Sequence, residues 1–206
     1  MTIEVLAGPM SSGKTEEMIR RIRRAQIAGQ KIQVFRSVLD TRSDPHFIIT
    51  LNEEQWPAEA VTRAADISDL VEKDTTVVGV DDAQFFDRPL VEVCRRLSEQ
   101  GRRVIVAGLD TDFCGEPFDP VPALLAIAPD VTKLTAVCMV CKGVATCSQR
   151  LINGQPARYD EPLIVAGWVG DEQGDEQTET YEARCPRCHE VPGIEELRAE
   201  LYGISK

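Results

Sequence analysis

Short apolar runs recur along most of the chain and alternate with segments of helical periodicity. The apolar runs cover residues 3–7, 32–35, 77–80, 104–107 and 131–137. A strand that is buried on both faces of a sheet appears in sequence as a continuous apolar run. These runs therefore predict a parallel sheet rather than an antiparallel sheet with one wet face.

Segments with helical periodicity separate the runs. They cover residues 15–28, 58–72, 89–100 and 194–202. In the first of them Met18, Ile22 and Ala25 share one face, as in an amphipathic helix. Alternating strands and helices predict an α/β fold with a parallel sheet and helices on its faces.

Two stretches are predicted to be irregular. Residues 37–56 lack periodicity, and residues 114–122 contain three prolines. Asp40 and Arg42 follow the second strand, and ligands of open α/β sheets bind outside the carboxyl ends of the strands. These two residues are candidate active-site residues, with an ordinary local ion pair as the alternative.

Residues 8–15 fit the phosphate-binding P-loop pattern GxxxxGK[ST] and lie between the first strand and the first helix. In such a loop, backbone N–H groups and the N-terminus of the helix surround phosphate oxygens. Lys14 would contact the β- and γ-phosphates and Thr15 would bind Mg²⁺. The predicted nucleotide-binding residues of this loop are Gly8, Pro9, Met10, Ser11, Ser12, Gly13, Lys14 and Thr15.

Two carboxylates, Asp81 and Asp82, follow the apolar run at residues 77–80. A P-loop protein holds its metal ion with an acidic residue at the end of such a strand. Asp81 is therefore the predicted partner of Mg²⁺, and Asp82 is available for another role. Ala83 and Gln84 complete this part of the predicted nucleotide site. The alternative is a strand that ends in solvated acidic residues.

Four of the seven cysteines form two CxxC pairs, Cys138 with Cys141 and Cys185 with Cys188. Four thiolates suit a tetrahedral structural Zn²⁺ site, which would anchor the base of the long segment at residues 142–184. An iron–sulfur cluster or a redox pair are the alternatives for the metal, and His189 is the alternative to Cys188 as a ligand.

Composition and charge narrow the function classes. The chain has 206 residues, a formal net charge of −11 and a pI near 4.7. Broad, sequence-independent binding to nucleic acid depends on Lys and Arg side chains. The excess of negative charge therefore argues against such binding. No apolar run approaches the roughly 20 residues that span a bilayer, and no signal peptide is evident. A cytoplasmic protein is expected, and the acidic residues 171–180 are expected to form a solvated loop.

An ordered set of motifs is typical of one enzyme family. The set comprises GPMSSGKTEEM, VLDTR, VVGVDDAQFF, GLDTDFCGEPF, KLTAVCMVC, Tyr181 and CPRCH. From about residue 3 to residue 189, the chain resembles the zinc-containing type II thymidine kinases. The resemblance implies a RecA-like P-loop parallel sheet with helices on both faces, plus a small zinc-binding lasso domain. We expect a kinase core at residues 1–135, the zinc-binding lasso domain at 136–192 and a C-terminal helix or tail at 193–206.

The resemblance also implies an activity. It implies ATP-dependent phosphorylation of thymidine at the 5′-hydroxyl, with deoxyuridine as a further candidate acceptor, by a homotetramer in deoxynucleotide salvage. No membrane or nucleic-acid partner is expected. Lys14 and Asp82 would be catalytic, with Asp82 as the base that acts on the hydroxyl, and residues 163–167 would close over the nucleobase. The implied substrate-binding residues are Met10, Asp40, Arg42, Phe85, Leu109, Phe113, Phe118, Ser148, Val165 and Tyr181.

Several positions depart from the family pattern. Asp82 stands where Glu is usual, Ser11 where an aromatic residue is usual, and Ser148 where Thr is usual, and a His-Gly element is missing from residues 48–56. These departures keep open a kinase homologue with weakened catalysis. The P-loop, the parallel sheet and the CxxC pairs are shared with a second alternative, a zinc-containing, RecA-like ATPase that depends on nucleic acid.

Overall fold

The computed structural model describes residues 2–40, 44–163 and 178–203. Its α-helices are α1 (Lys14–Ile27), α2 (Ala64–Leu70), α3 (Leu90–Glu99), α4 (Val121–Ile127) and α5 (Ile194–Tyr202). Its strands are β1 (Thr2–Ala7), β2 (Ile32–Ser37), β3 (Phe47–Ile49), β4 (Gln55–Pro57), β5 (Glu59–Val61), β6 (Val77–Val80), β7 (Arg103–Gly108), β8 (Asp130–Lys133), β9 (Ala136–Val137), β10 (Val144–Ala145), β11 (Cys147–Ile152), β12 (Gln155–Pro156) and β13 (Glu179–Arg184). No described helix is both long and apolar enough to cross a membrane.

Six strands form a central sheet in the order β5-β2-β6-β7-β1-β8, and all neighbours are parallel. The predicted α/β class with a parallel sheet is thereby confirmed. Because every strand runs in the same direction, the loops that leave the carboxyl ends of β1, β2, β6 and β7 meet at one edge of the sheet. That edge holds the candidate site.

Helices cover both faces of this sheet, as predicted. On one face, Met18, Ile19 and Ile22 of α1 pack against Leu6 of β1 and Ile105 of β7. On the other face, α2, α3 and α4 pack against the opposite side chains of the same strands. The alternation is visible within β1, where the neighbouring residues Val5 and Leu6 belong to different clusters.

Three short elements differ from the sequence prediction. The predicted loop at residues 37–56 contains the antiparallel hairpin β3–β4. The predicted helix at residues 58–72 is strand β5 followed by the shorter helix α2. The predicted strand at residues 131–137 divides into β8, at the edge of the central sheet, and β9, which pairs with β10. Tertiary pairing decides such short segments, because three or four residues define no period.

The C-terminal part of the described chain packs beside the central sheet. Strand β11 pairs with β12 and β13 in a second sheet. Helix α5 lies where sequence periodicity predicts it, and Ile194 and Leu197 pack around buried Phe113 and Cys114. Tyr202 donates a hydrogen bond to Glu116 Oε2 at 2.6 Å. Helix α5 therefore contacts the loop that follows β7.

The core on the α1 face can be tested with two isoleucines of the same helix. Ile22 is completely buried, whereas Ile27 is 86% exposed. We expect Ile22→Ala to lower the free energy of unfolding by about 2–5 kcal/mol, because it removes buried methyl groups and leaves a cavity. Ile27→Ala should change it by less than about 0.5 kcal/mol. Urea unfolding measures both, and equal effects would contradict the packing of α1.

Candidate active site

A cavity of about 480 Å³ opens at the carboxyl edge of the central sheet. Its walls come from the loops after β1, β2, β6 and β7, from the hairpin β3–β4 and from the second sheet. The described lining residues are Met10, Ser11, Ser12, Gly13, Lys14, Thr15, Glu16, Leu39, Asp40, Ile48, Ile49, Thr50, Leu51, Asp81, Asp82, Gln84, Phe85, Leu109, Asp112, Phe113, Phe118, Ser148, Leu163 and Tyr181.

The loop after β1 has the backbone of a phosphate-binding loop. Gly8 has a φ of 151°, and a Cβ atom there would lie 2.4 Å from the Leu134 carbonyl oxygen, so only glycine fits. Gly13 adopts a left-handed conformation with φ of 83° and precedes the first turn of α1. Lys14 is buried, and its Nζ donates to the Pro9 carbonyl at 2.7 Å. The loop thus presents a cation and the N-terminus of a long helix to the cavity.

Thr15 and Asp81 meet at the floor of the cavity. Thr15 Oγ1 donates to Asp81 Oδ2 at 3.0 Å and lies 3.3 Å from Oδ1. Asp81 is only 4% exposed. A hydroxyl and a carboxylate at this distance provide the hard oxygen ligands that Mg²⁺ prefers. The donor set fits the predicted magnesium site.

Asp82 is held in an uncommon backbone conformation beside this pair. Its φ of 46° and ψ of 52° are left-handed, which costs a residue with a Cβ atom about 1 kcal/mol. Gln84 Nε2 donates to Asp82 Oδ1 at 2.9 Å, and Gln84 Oε1 accepts from the Leu109 N–H at 2.9 Å. Gln84 therefore links the Asp82 carboxylate to the end of β7.

Aromatic residues and a buried hydroxyl form another part of the cavity wall. The predicted residues Phe113, Phe118 and Tyr181 all line the cavity. Ser148 is 2% exposed, and its Oγ accepts a hydrogen bond from the Met10 N–H at 3.0 Å. This contact joins the second sheet to the phosphate-binding loop. An aromatic wall of this kind suits a flat organic ring.

Asp112 supports the turn that carries two of these aromatic residues. Its carboxylate accepts hydrogen bonds from the backbone N–H groups of Cys114 at 2.8 Å and Glu116 at 3.0 Å. Burial raises the pKa of Asp112 above its ordinary value. The side chain therefore helps to fix the conformation of the loop after β7.

Arg36 organises the loop after β2. The side chain is 1% exposed, and its Nη2 lies 2.7 Å from Asp40 Oδ2. It also donates to the carbonyl oxygens of Asp40 at 2.6 Å, Asp44 at 2.8 Å and Phe47 at 2.5 Å. A single buried guanidinium thus holds Asp40 at the cavity and the chain on both sides of residues 41–43.

Most of the predicted site residues lie together. Nine of the twelve residues predicted to bind the nucleotide line the cavity. The exceptions, which are not among the described lining residues, are Gly8, Pro9 and Ala83. Of the predicted substrate set, eight of the ten residues line the cavity: Met10, Asp40, Phe85, Leu109, Phe113, Phe118, Ser148 and Tyr181. Arg42, Val165 and most of the stretches at residues 163–167 and 171–180 lie outside the described residues.

Other cavity residues escaped the sequence prediction. Ile48, Ile49, Thr50 and Leu51 reach the cavity from the hairpin β3–β4. The apolar run at residues 47–49 was the available signal, although it is too short to be distinguished from a loop. Nothing in the sequence indicates that Arg36 is buried, because arginine is mostly exposed in proteins.

The four CxxC sulfur atoms converge at one place. The Sγ atoms of Cys138, Cys141, Cys185 and Cys188 all lie within 4.8 Å of one another. Tetrahedral Zn²⁺ with Zn–S bonds of about 2.3 Å separates its sulfur ligands by about 3.8 Å, and the Cys141 and Cys185 sulfurs lie 3.6 Å apart. Backbone N–H groups, first that of Cys141, lower the pKa of the Cys138 thiol to about 6. The donor set fits a structural zinc ion.

His189 has a different contact. Its Nε2 lies 2.9 Å from the Phe113 carbonyl oxygen, and burial lowers the pKa of the imidazole. The ring therefore connects the end of the second CxxC pair to the loop after β7. Of the two alternative ligands, Cys188 and His189, Cys188 belongs to the sulfur cluster.

Comparison with known families identifies the family of this chain. The family model described as thymidine kinase matches residues 1–189 of this chain. The matched segment includes every described cavity residue and all four cysteines of the cluster.

The sulfur cluster can be tested by metal analysis. We expect the purified protein to contain about one zinc ion per chain, held by four thiolates. Cys141→Ser should lose most of this zinc and unfold at a lower temperature, because a hydroxyl is a poor replacement for a thiolate ligand. Elemental analysis and thermal unfolding measure the two effects. Cys147→Ser is the matched control, since Cys147 is outside the cluster, and zinc loss in both variants would contradict the assignment.

Proposed function

The chain belongs to the thymidine kinase family, and we propose that it transfers the γ-phosphoryl group of ATP to the 5′-hydroxyl of thymidine, with deoxyuridine as a second acceptor. The observation that supports this most directly is the position of Asp82. It follows Asp81 directly in the chain and lines the same cavity as the Thr15–Asp81 pair and the aromatic residues Phe113, Phe118 and Tyr181. Phosphoryl transfer needs these two sides, a charged phosphate site and an oriented acceptor, to face each other.

The donor side would be formed by the loop after β1. Backbone N–H groups of this loop would bind the phosphate oxygens, and the Lys14 ammonium would exchange its contact with Pro9 for the β- and γ-phosphates. Thr15 and Asp81 would hold Mg²⁺. When bound there, the ion supplies positive charge that offsets the charge on the phosphates.

Asp82 would act as the base for the acceptor hydroxyl. Its carboxylate would take the 5′-hydroxyl proton as the oxygen attacks the γ-phosphorus, while the bond from the γ-phosphorus to the β–γ bridging oxygen breaks and ADP leaves. The side chain is one methylene shorter than the glutamate usual in the family, and the hydrogen bond from Gln84 fixes its direction. The left-handed backbone at Asp82 is then part of what aims a short carboxylate at the hydroxyl.

The acceptor side would bind the nucleoside between apolar and polar groups. Phe113, Phe118 and Tyr181 would enclose the flat pyrimidine. The remaining residues that we assign to this side are Met10, Asp40, Phe85, Leu109 and Ser148. Arg42 and Val165 are assigned to it from the family resemblance alone.

The proposal also covers the zinc ion, the oligomeric state and the cellular role of the protein. The zinc ion would be structural and would anchor the lasso domain at residues 136–192 against the kinase core at 1–135. We propose a cytoplasmic homotetramer that works in deoxynucleotide salvage for DNA synthesis. The net charge of −11 supports the expectation that nucleic acid is not a partner.

A nucleoside screen tests the donor and the acceptor. We expect ADP release from ATP with thymidine and deoxyuridine and not with purine deoxynucleosides, because the chain belongs to the thymidine kinase family. A coupled assay with zinc-loaded protein measures this. No release with any pyrimidine nucleoside would sink the proposal. Thymidine binding without turnover would favour a weakened homologue, and hydrolysis stimulated by single-stranded DNA would favour an ATPase.

The role of Asp82 can be tested by removing its charge. We expect Asp82→Asn to lower kcat by about 10²–10⁴-fold, because an amide cannot accept the hydroxyl proton. Thymidine and ATP should still bind, as calorimetry would measure. Asp69→Asn is the matched control, since Asp69 lies on the exposed side of α2. A kcat for Asp82→Asn within about threefold of the native value would remove Asp82 from its role.

A further inference from the structure

Arg150 is a buried cation close to the cavity, although it does not line it. It lies on β11 and is 2% exposed. A guanidinium without partners would be unstable in such a place, since burial of a charge is costly unless it is paired. Its contacts therefore indicate which parts of the fold depend on it.

Two of these contacts hold the ends of one segment. Arg150 Nη1 donates to the Pro162 carbonyl at 2.6 Å. Its Nη2 donates to Glu179 Oε2 at 3.1 Å, and its Nε lies 2.9 Å from Oε1 of the same carboxylate. Pro162 precedes the gap in the described chain and Glu179 begins β13 after it. One side chain thus joins the chain on both sides of residues 164–177.

A third contact reaches the aromatic wall. The Arg150 guanidinium carbon lies 5.3 Å from the centroid of the Phe113 ring, within the range of a cation–π interaction. Tyr181 is paired with Arg150 in the register of β11 and β13. Both rings line the cavity. The position of the aromatic wall is therefore coupled to the position of Arg150.

The geometry requires arginine rather than any cation. The planar guanidinium has donors on several sides, so it can bind a carboxylate, a carbonyl oxygen and the face of a ring at the same time. A lysine ammonium at this position would keep the charge and lose part of this arrangement. A methionine would keep much of the volume and lose all of the polar contacts.

We propose that Arg150 is a positioning residue for nucleoside binding, which holds the Phe113 ring together with the chain at Pro162 and Glu179. The proposal rests on the proposed function, because it concerns the acceptor side of the same cavity. We expect its main effect on that side, because the Arg150 side chain contacts Pro162, Glu179 and the Phe113 ring. On the donor side, Lys14 contacts Pro9 and Thr15 contacts Asp81.

The test compares acceptor binding with donor binding. We expect Arg150→Met to raise the KM for thymidine and its calorimetric Kd by about tenfold or more, because a displaced wall costs binding and alignment. The KM for ATP should stay within about twofold. Arg150→Lys should recover part of the loss. If Arg150→Met fails to fold, Arg150→Lys and Glu179→Gln test the same contacts with smaller changes.

A matched variant separates positioning from stability. Arg103 also pairs with a partly buried glutamate, Glu4, at the opposite end of the central sheet. Arg103→Met should lower the melting temperature and leave both KM values within about twofold. If Arg150→Met behaves in the same way as Arg103→Met, Arg150 is only structural and the proposal is overturned.

Glu179→Gln supplies a second criterion. If Arg150 acts through the Glu179 carboxylate, the effects of Arg150→Met and Glu179→Gln on the thymidine Kd should not add in the double variant. Additive effects would overturn the proposed coupling. The proposed function is judged separately, by the nucleoside screen on the native protein. The role of Arg150 is judged by the ratio of the thymidine KM and Kd values between variant and native protein.

Discussion

The parallel direction of the six central strands is the constraint on which the rest of the structure depends. It brings the ends of β1, β2, β6 and β7 to one edge, although these strands are far apart in sequence. Strand β7 lies between β1 and β6, so the ends of those two strands are about 10 Å apart. Thr15 and Asp81 close this distance with a direct hydrogen bond. The candidate magnesium site is therefore a product of strand order, and neither residue could form it alone.

The aromatic wall of the cavity, the proposed acceptor side, depends on a second unit that does not belong to the central sheet. Strands β11 and β13 supply Ser148 and Tyr181, and the sulfur cluster lies at the end of this unit. Polar contacts join the unit to the core beside the apolar packing around Phe113 and Cys114, among them Met10 N–H to Ser148 Oγ and His189 to the Phe113 carbonyl. Polar contacts are directional, so they define the position of the wall more narrowly than apolar packing would.

The sequence predicted the parts of the fold that have a strong local signal. The glycine-rich loop, the strand that ends in Asp81 and the two CxxC pairs combine residue type with spacing, and the structure places each of them as predicted. The hairpin β3–β4 and strand β5 were missed, because three residues carry too little pattern. The buried arginines Arg36 and Arg150 could not be predicted either. Their burial depends on partners that are brought together only by the tertiary fold.

Helix α5 gives the proposed acceptor side a component that lies beyond the residues that the family model matches. The family match ends at residue 189, yet Tyr202 binds Glu116, and Ile194 and Leu197 pack around Phe113. The loop after β7 is held more rigidly when more contacts support it. Two relatives with the same side chains in the cavity can therefore differ in how firmly they hold the loop after β7. A comparison of lining residues alone would count them as equivalent, although a helix with no residue in the described lining of the cavity supports the loop that carries Phe113.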